Sequence, residues 1–171
     1  MGLIFLCGLP GSGKSSVGKA VAEAFVLPFV DLDEEIEKEC GRSIGEIFEQ
    51  EGEAFFRVLE TQALTRACAQ RSAVVALGAG VLENDENLAS VLECGQLVYL
   101  RVPVDAIANR ISSWESRPLF SECATKVQIT VKLKQLLSKR EARYLRADYI
   151  VDVSDNESAE QTASRVTALL A

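Results

Sequence analysis

Apolar positions in this chain alternate between two rhythms. Continuous runs at residues 3–7, 73–77, 96–100 and 149–153, with a shorter one at 28–30, read as buried strands. Between them, apolar residues recur every three or four positions. Val17, Ala20, Val21, Ala24 and Phe25 form one such stripe, and Phe56, Leu59, Ala63, Leu64 and Ala67 form another. The spacing predicts helices after the first strand and over residues 34–40, 53–70, 83–92, 104–111, 126–145 and 158–170. Ser43 and Glu46 stand as Ser-x-x-Glu, a capping box opening a further short helix that Gly52 ends. Residues 112–125, with Trp114, Arg117 and Pro118, are polar and irregular.

Strands alternating with helices imply a parallel sheet covered on both faces, a doubly wound α/β architecture with five strands. The length of 171 residues suits one domain, 1–171. In such sheets ligands gather at the carboxyl ends of the strands, near the switch point. Strand one here ends at Gly8, strand two runs into Asp31 and Asp33, and strand three ends at Gly78-Ala79-Gly80. All three ends open on one rim.

Composition narrows the partners. With 25 acidic against 18 basic residues the net charge is −7, which disfavours a duplex nucleic-acid binder and makes clustered arginines worth tracking. No apolar run is long enough to span a bilayer, and the N-terminal run is too short for a signal peptide. The expectation is a cytoplasmic protein with no nucleic-acid or membrane partner. There is no His, and the five cysteines form no C-x-x-C pair. They read as free thiols acting as small buried apolar side chains in a reducing compartment.

Gly8-Leu9-Pro10-Gly11-Ser12-Gly13-Lys14-Ser15 matches the phosphate-binding loop G-x-x-x-x-G-K-[ST], in the strand-loop-helix setting that motif needs. Its glycines let several N–H groups converge on an anion at the positive end of the following helix. Lys14 adds a mobile charge for β- and γ-phosphates, and Ser15 offers a hydroxyl to a phosphate-bound Mg²⁺. Strand three carries no Walker-B acid and no N-K-x-D signature occurs, which disfavours a motor ATPase or GTPase.

The other candidates each have a plain structural alternative. Asp31 and Asp33, on one side of a frayed strand end, can serve a metal and a second substrate, or cap the next helix. Arg57 can pair with Glu53 and Glu60 along its helix. Arg140 lies on a basic helix with Lys132, Lys134, Lys139 and Arg143, whose face can be simply solvated. Arg117 can belong to a lid spanning about residues 112–125, or be a surface residue.

Taken together these stretches resemble the shikimate kinases, small enzymes of the phosphate-loop kinase group. The resemblance covers the loop, Phe29-Val30-Asp31-Leu32-Asp33, Gly52-Glu53 with Phe56-Arg57 and Glu60, the glycine turn, Arg117-Pro118-Leu119, and Arg140 four residues before Tyr144. It implies strand order 2-3-1-4-5 and transfer of the γ-phosphoryl of ATP to the 3-hydroxyl of shikimate, by a monomer using Mg²⁺, within chorismate and aromatic amino acid synthesis. By resemblance Gly11, Ser12, Gly13, Lys14, Ser15 and Ser16 hold the ATP phosphates, and Ser15 and Asp31 hold Mg²⁺, the latter through water. Asp33 binds the shikimate hydroxyls and accepts the proton, while Arg57 and Arg140 clamp the carboxylate. The turn at Gly78, Ala79 and Gly80 meets the ring hydroxyls, Arg117 reaches the transferring phosphoryl, and Arg110 packs on adenine.

The chain departs from that pattern at Ala79, where the family usually has a glycine, and at Arg140-Glu141-Ala142-Arg143-Tyr144, where Arg-x-Pro-x-Tyr is common. A backbone contact at residue 79 tolerates the methyl if φ is negative there. The loop near Asp155-Asn156 is divergent. Two other readings stand beside this one: a related kinase for gluconate or a nucleoside monophosphate, and a nucleotide-binding regulator without turnover. The short segment between strands two and three argues against a nucleotide acceptor, and intact Lys14, Asp33 and arginines argue against the regulator.

Overall fold

The structure is a computed structural model and describes residues 2–110, 120, 123 and 125–171. Five parallel strands, β1 (Leu3–Cys7), β2 (Phe29–Asp31), β3 (Ala73–Ala76), β4 (Gly95–Arg101) and β5 (Tyr149–Asp152), form one sheet in the order β2-β3-β1-β4-β5. Its helices are α1 (Lys14–Phe25), α2 (Leu32–Cys40), α3 (Ile44–Cys68), α4 (Asp85–Cys94), α5 (Val104–Arg110), α6 (Lys126–Tyr144) and α7 (Ala159–Leu170). Every residue of β1 and β3 is buried, as a parallel sheet covered on both faces requires. Helix α1 packs on α7 and β3, α2 on α3, α4 on β4, and α5 on α6. The doubly wound class and the strand order implied by resemblance both hold.

The order reverses beside β1, which pairs with β3 on one side and β4 on the other. A crevice opens at that point, and the phosphate loop leaves β1 directly into it. Helix α1 lies close to β2 because position 18 is glycine. A Cβ on Gly18 would stand 2.5 Å from the Phe29 ring.

Three boundaries differ from the periodicity in ways that matter. Helix α2 starts at Leu32, because Asp31 caps it by accepting from the N–H groups of Asp33 (3.1 Å) and Glu34 (3.4 Å). Asp33 therefore sits in the first turn of a helix, not at a frayed strand end. The predicted helices 43–52 and 53–70 are one run, α3, bent at Gly52, whose φ of 82° and ψ of 172° interrupt it. The helix expected from residue 83 starts at Asp85, since Asn84 Oδ1 accepts from Glu86 (2.8 Å) and Asn87 (3.1 Å). A 3₁₀ turn, Val81–Glu83, precedes it and leaves Glu83 outside the helix.

The cysteines are all free, but only Cys7 is buried; Cys94 is exposed and Cys40, Cys68 and Cys123 are half-buried. Burial pushes the Cys7 thiol up to about 12. The expectation that all five act as buried apolar groups is thus corrected. No helix among the described residues is long and apolar enough to cross a membrane.

Candidate active site

A cleft of about 740 Å³ lies on the rim formed by the ends of β1, β2 and β3. One half is the phosphate loop. Gly13, at φ 89°, is the N-cap of α1, where only glycine is comfortable. It supplies no capping side chain, and the first turn of α1 holds no acidic residue, so the N–H groups there are left for an anion. Ser12 is buried, and its Oγ has no hydrogen-bond partner among the described residues. Lys14 Nζ donates to the carbonyls of Gly8 (3.1 Å) and Leu9 (2.9 Å), folded over its own loop. Gly11, Ser15 and Ser16 also line the cleft.

Ser15 Oγ donates to Asp31 Oδ2 at 2.5 Å. Asp31 therefore does two things at once: Oδ1 caps α2 while Oδ2 meets the hydroxyl of the phosphate loop. A hydroxyl and a carboxylate side by side at the mouth of a phosphate site are hard oxygen donors, and the set fits a hard divalent cation that takes its remaining ligands from phosphate and water.

The second half of the cleft is built from buried charges. Arg57 and Glu60, one turn apart on α3, are joined by a 2.5 Å bond between Nη1 and Oε2, and Arg57 Nη2 also holds Glu53 at 2.8 Å. The helical pairing foreseen for Arg57 is real, and the same guanidinium lines the cleft. Glu60 is almost wholly buried. Burial pushes its carboxyl up to about 7, against the pull of Arg57 and with the negative Asp33 adding to the rise.

The glycine turn after β3 packs against these groups. A Cβ on Gly78 would stand 2.7 Å from Glu60 Oε1 and 2.8 Å from Asp33 Oδ1, and one on Gly80 would run into the Arg57 guanidinium. Ala79 needs no such room. Val26 is the one non-glycine with positive φ among the described residues, so Ala79 lies in ordinary backbone space. Tyr144 Oη donates to the Ala79 carbonyl at 2.6 Å, and burial raises the phenol far above its usual pKa, keeping it a donor.

Arg140 is not on a solvated face. It is 3% exposed, lines the cleft, and pairs with Glu83 through Nε at 2.6 Å. Its Nη1 is buried with no hydrogen-bond partner among the described residues. A buried cation with one unused donor group suits an anionic ligand.

Arg110, which also lines the cleft, donates to the carbonyls of Ser154 (2.5 Å) and Asp155 (3.0 Å). It thereby ties the divergent loop after β5 to a residue of the cleft wall. Phe120 is buried and lines the wall. Arg117 and Trp114, with most of the segment 112–125, lie outside the described residues.

Sequence reasoning valued Glu60 only as a partner of Arg57, and it missed Glu83 and Phe120. The i,i+3 spacing of Glu60 to Arg57 was a usable signal, because both share the helix face that carries the core residues Phe56 and Leu64. Nothing local marks Glu83.

Comparisons agree with this geometry. A family model described as shikimate kinase matches residues 10–171. The shikimate kinase of Chlorobaculum parvum is 40% identical over 169 residues, covering 96% of this chain and 90% of that one. A solved shikimate kinase from Acinetobacter baumannii, in complex with shikimate, superposes with a TM-score of 0.92 at 32% identity, covering 99% and 93%. One from Bacteroides thetaiotaomicron gives 0.89 at 31%, covering 98% and 97%. With a family match that begins inside the phosphate loop and runs to the last residue, the chain belongs to the shikimate kinase family.

Proposed function

We propose that the two halves of this cleft divide the family's reaction, transfer of the γ-phosphoryl of ATP to the 3-hydroxyl of shikimate, between the phosphate loop and the arginines Arg57 and Arg140. The loop from Gly11 to Ser16 receives the phosphates on its N–H groups, and Lys14 swings from its carbonyls onto the β- and γ-phosphates. Ser15 and Asp31 hold Mg²⁺, which when bound offsets charge on the phosphates. Arg110 packs on the adenine, and Arg117 is assigned the transferring phosphoryl, within a lid of residues 112–125, on family resemblance alone.

Shikimate is a small, hydroxyl-rich anion, and the Acinetobacter baumannii relative was solved with it bound. Here Arg57 and Arg140 grip the carboxylate. The turn at Gly78, Ala79 and Gly80 lies along the ring, and Asp33, across the turn from Gly78, orients the 3-hydroxyl and takes its proton. Phosphoryl transfer is mostly positioning and electrostatic stabilisation, so this set suffices in kind. The observation that carries the reading is the buried Arg140, its Nη1 without a hydrogen-bond partner among the described residues, in the wall of a cleft that the phosphate loop also lines. The working unit is assigned as a monomer on family resemblance alone. Dependence on ATP and Mg²⁺ supports a cytoplasmic setting.

The test is ADP release with Mg-ATP and shikimate, gluconate or nucleoside monophosphates offered separately. Release driven by shikimate alone is expected. Release driven equally by another acceptor, or none with any acceptor while ATP still binds, would overturn the reading.

A further inference from the structure

The 3₁₀ turn that displaces the start of α4 delivers one side chain to Arg140, which lines the cleft. Glu83 Oε1 accepts from Nε of Arg140 at 2.6 Å and forms an ion pair with Nη2, also at 2.6 Å. The guanidinium is a rigid planar fork, so fixing those two nitrogens fixes the third. That third nitrogen, Nη1, is the buried group with no hydrogen-bond partner among the described residues. A second pair, Arg143 to Asp85 at 2.7 Å, ties the next turn of α6 to the first turn of α4 and holds the two segments in register.

The burial of the two partners is unequal. The Arg140 side chain is 4% exposed and that of Glu83 is 42% exposed. Solvent therefore screens the carboxylate more than the guanidinium, and the cleft keeps positive character for an anion. Without Glu83, a buried guanidinium on a long flexible stem loses the partner that sets its plane, while the charge of Glu60 still acts on it. Its orientation toward a ligand would then be lost even though its charge remained.

We propose that Glu83 is a positioning residue for the acceptor site, locking Arg140 by its Nε and Nη2 edge so that Nη1 is presented to the carboxylate of the acceptor acid. This rests on the reading that Arg140 grips that carboxylate. Glu83 touches no reacting atom and acts through Arg140.

The test is steady-state kinetics of Glu83→Ala, Glu83→Asp and Glu83→Gln beside Arg140→Ala. Glu83→Ala is expected to raise the KM for shikimate by about tenfold, with kcat within about threefold and the KM for ATP unchanged. Glu83→Gln retains an oxygen of the same reach and is expected to bring the shikimate KM back to within about threefold of the original. Glu83→Asp keeps the charge but is one methylene short, so it should shift the shikimate KM as alanine does, and it carries the test if the alanine variant does not fold. An unchanged shikimate KM in Glu83→Asp, a glutamine variant no better than alanine, or a parallel rise in the ATP KM would overturn the proposal. If Arg140→Ala itself leaves the shikimate KM unchanged, the underlying reading of Arg140 fails instead.

Discussion

Replacing Gly80 by alanine separates folding from function, because the two should move in opposite directions. Gly80 has φ −103° and ψ −7°, a conformation any L-residue accepts. The added methyl meets no backbone; it meets the Arg57 guanidinium, with Cζ and Nη2 each at 2.8 Å. Carbon contacts are comfortable at about 3.5–4.0 Å, so Arg57 must withdraw by roughly 1 Å. It is pinned by Glu53 at 2.8 Å and Glu60 at 2.5 Å, so withdrawal breaks or distorts at least one ion pair. A misplacement of about 1 Å in a positioning group costs on the order of 10²-fold, equivalent to about 2.7 kcal/mol at the transition state. The cost to the fold is small where the exposed Glu53 pair is the one given up, and loss of unfolded-state freedom stabilises by about 0.4–1 kcal/mol. The expected outcome for Gly80→Ala is an unchanged or slightly higher Tm, an unchanged KM for ATP, and a kcat/KM for shikimate lower by about 10²-fold. Both substrates would be varied in a coupled assay for ADP, beside a thermal melt. A kcat/KM for shikimate within about threefold of the original would refute the reasoning, as would an equal loss toward ATP.

Asp31→Asn should keep the helix cap, since asparagine caps as well as aspartate, and leave stability within about 0.5 kcal/mol. The same variant should need about tenfold more Mg²⁺ for half-maximal rate, and an unchanged Mg²⁺ titration would remove Asp31 from the metal site. Burial holds the Glu60 carboxyl at about 7, so acidification through that value protonates the acceptor that anchors Arg57. The shikimate KM should therefore rise between pH 8 and pH 6 while the ATP KM does not follow, and Glu60→Gln should flatten that profile; a parallel slope in the variant would clear Glu60. For stability the sign runs the other way. The unfolded carboxyl ionises near its ordinary 4.5, so Glu60 removes stability as pH rises from 4.5 through about 7, measurable as the melt difference from Glu60→Gln. Tyr144→Phe strips the Ala79 carbonyl of its 2.6 Å donor and should cost about 1–3 kcal/mol of stability with a higher shikimate KM; an unperturbed melt would show that the turn does not depend on that bond.

What the sequence shows plainly here is whatever depends on neighbours along the chain. Apolar period separates strands from helices, the glycine spacing of the phosphate loop marks the anion site, and the capping box at Ser43 marks a helix start. Strand order is not such a property. It depends on which side of β1 each crossover packs, and it came from family resemblance before the pairings of β1 with β3 and β4 gave it a physical basis.

The site divides in the same way. Arg57 beside Glu60 is visible because both lie on one helix face, yet their burial is not, because it depends on the turn after β3 closing over them. Arg140 stayed open in the residue pattern, as one of several basic residues on α6, since the carboxylate that pairs with it lies 57 residues earlier, on a turn that the periodicity assigns to a helix. Buried charge violates the pattern by which soluble chains are ordinarily read, and in this cleft it occurs at Glu60 and Arg140, where a small polar acid needs fixed partners. Such a violation becomes legible only once both partners are in place. It follows that the residues hardest to assign from this chain's pattern are those whose partners are far apart in sequence, and that the pair Glu83 and Arg140 is the most informative place to perturb it.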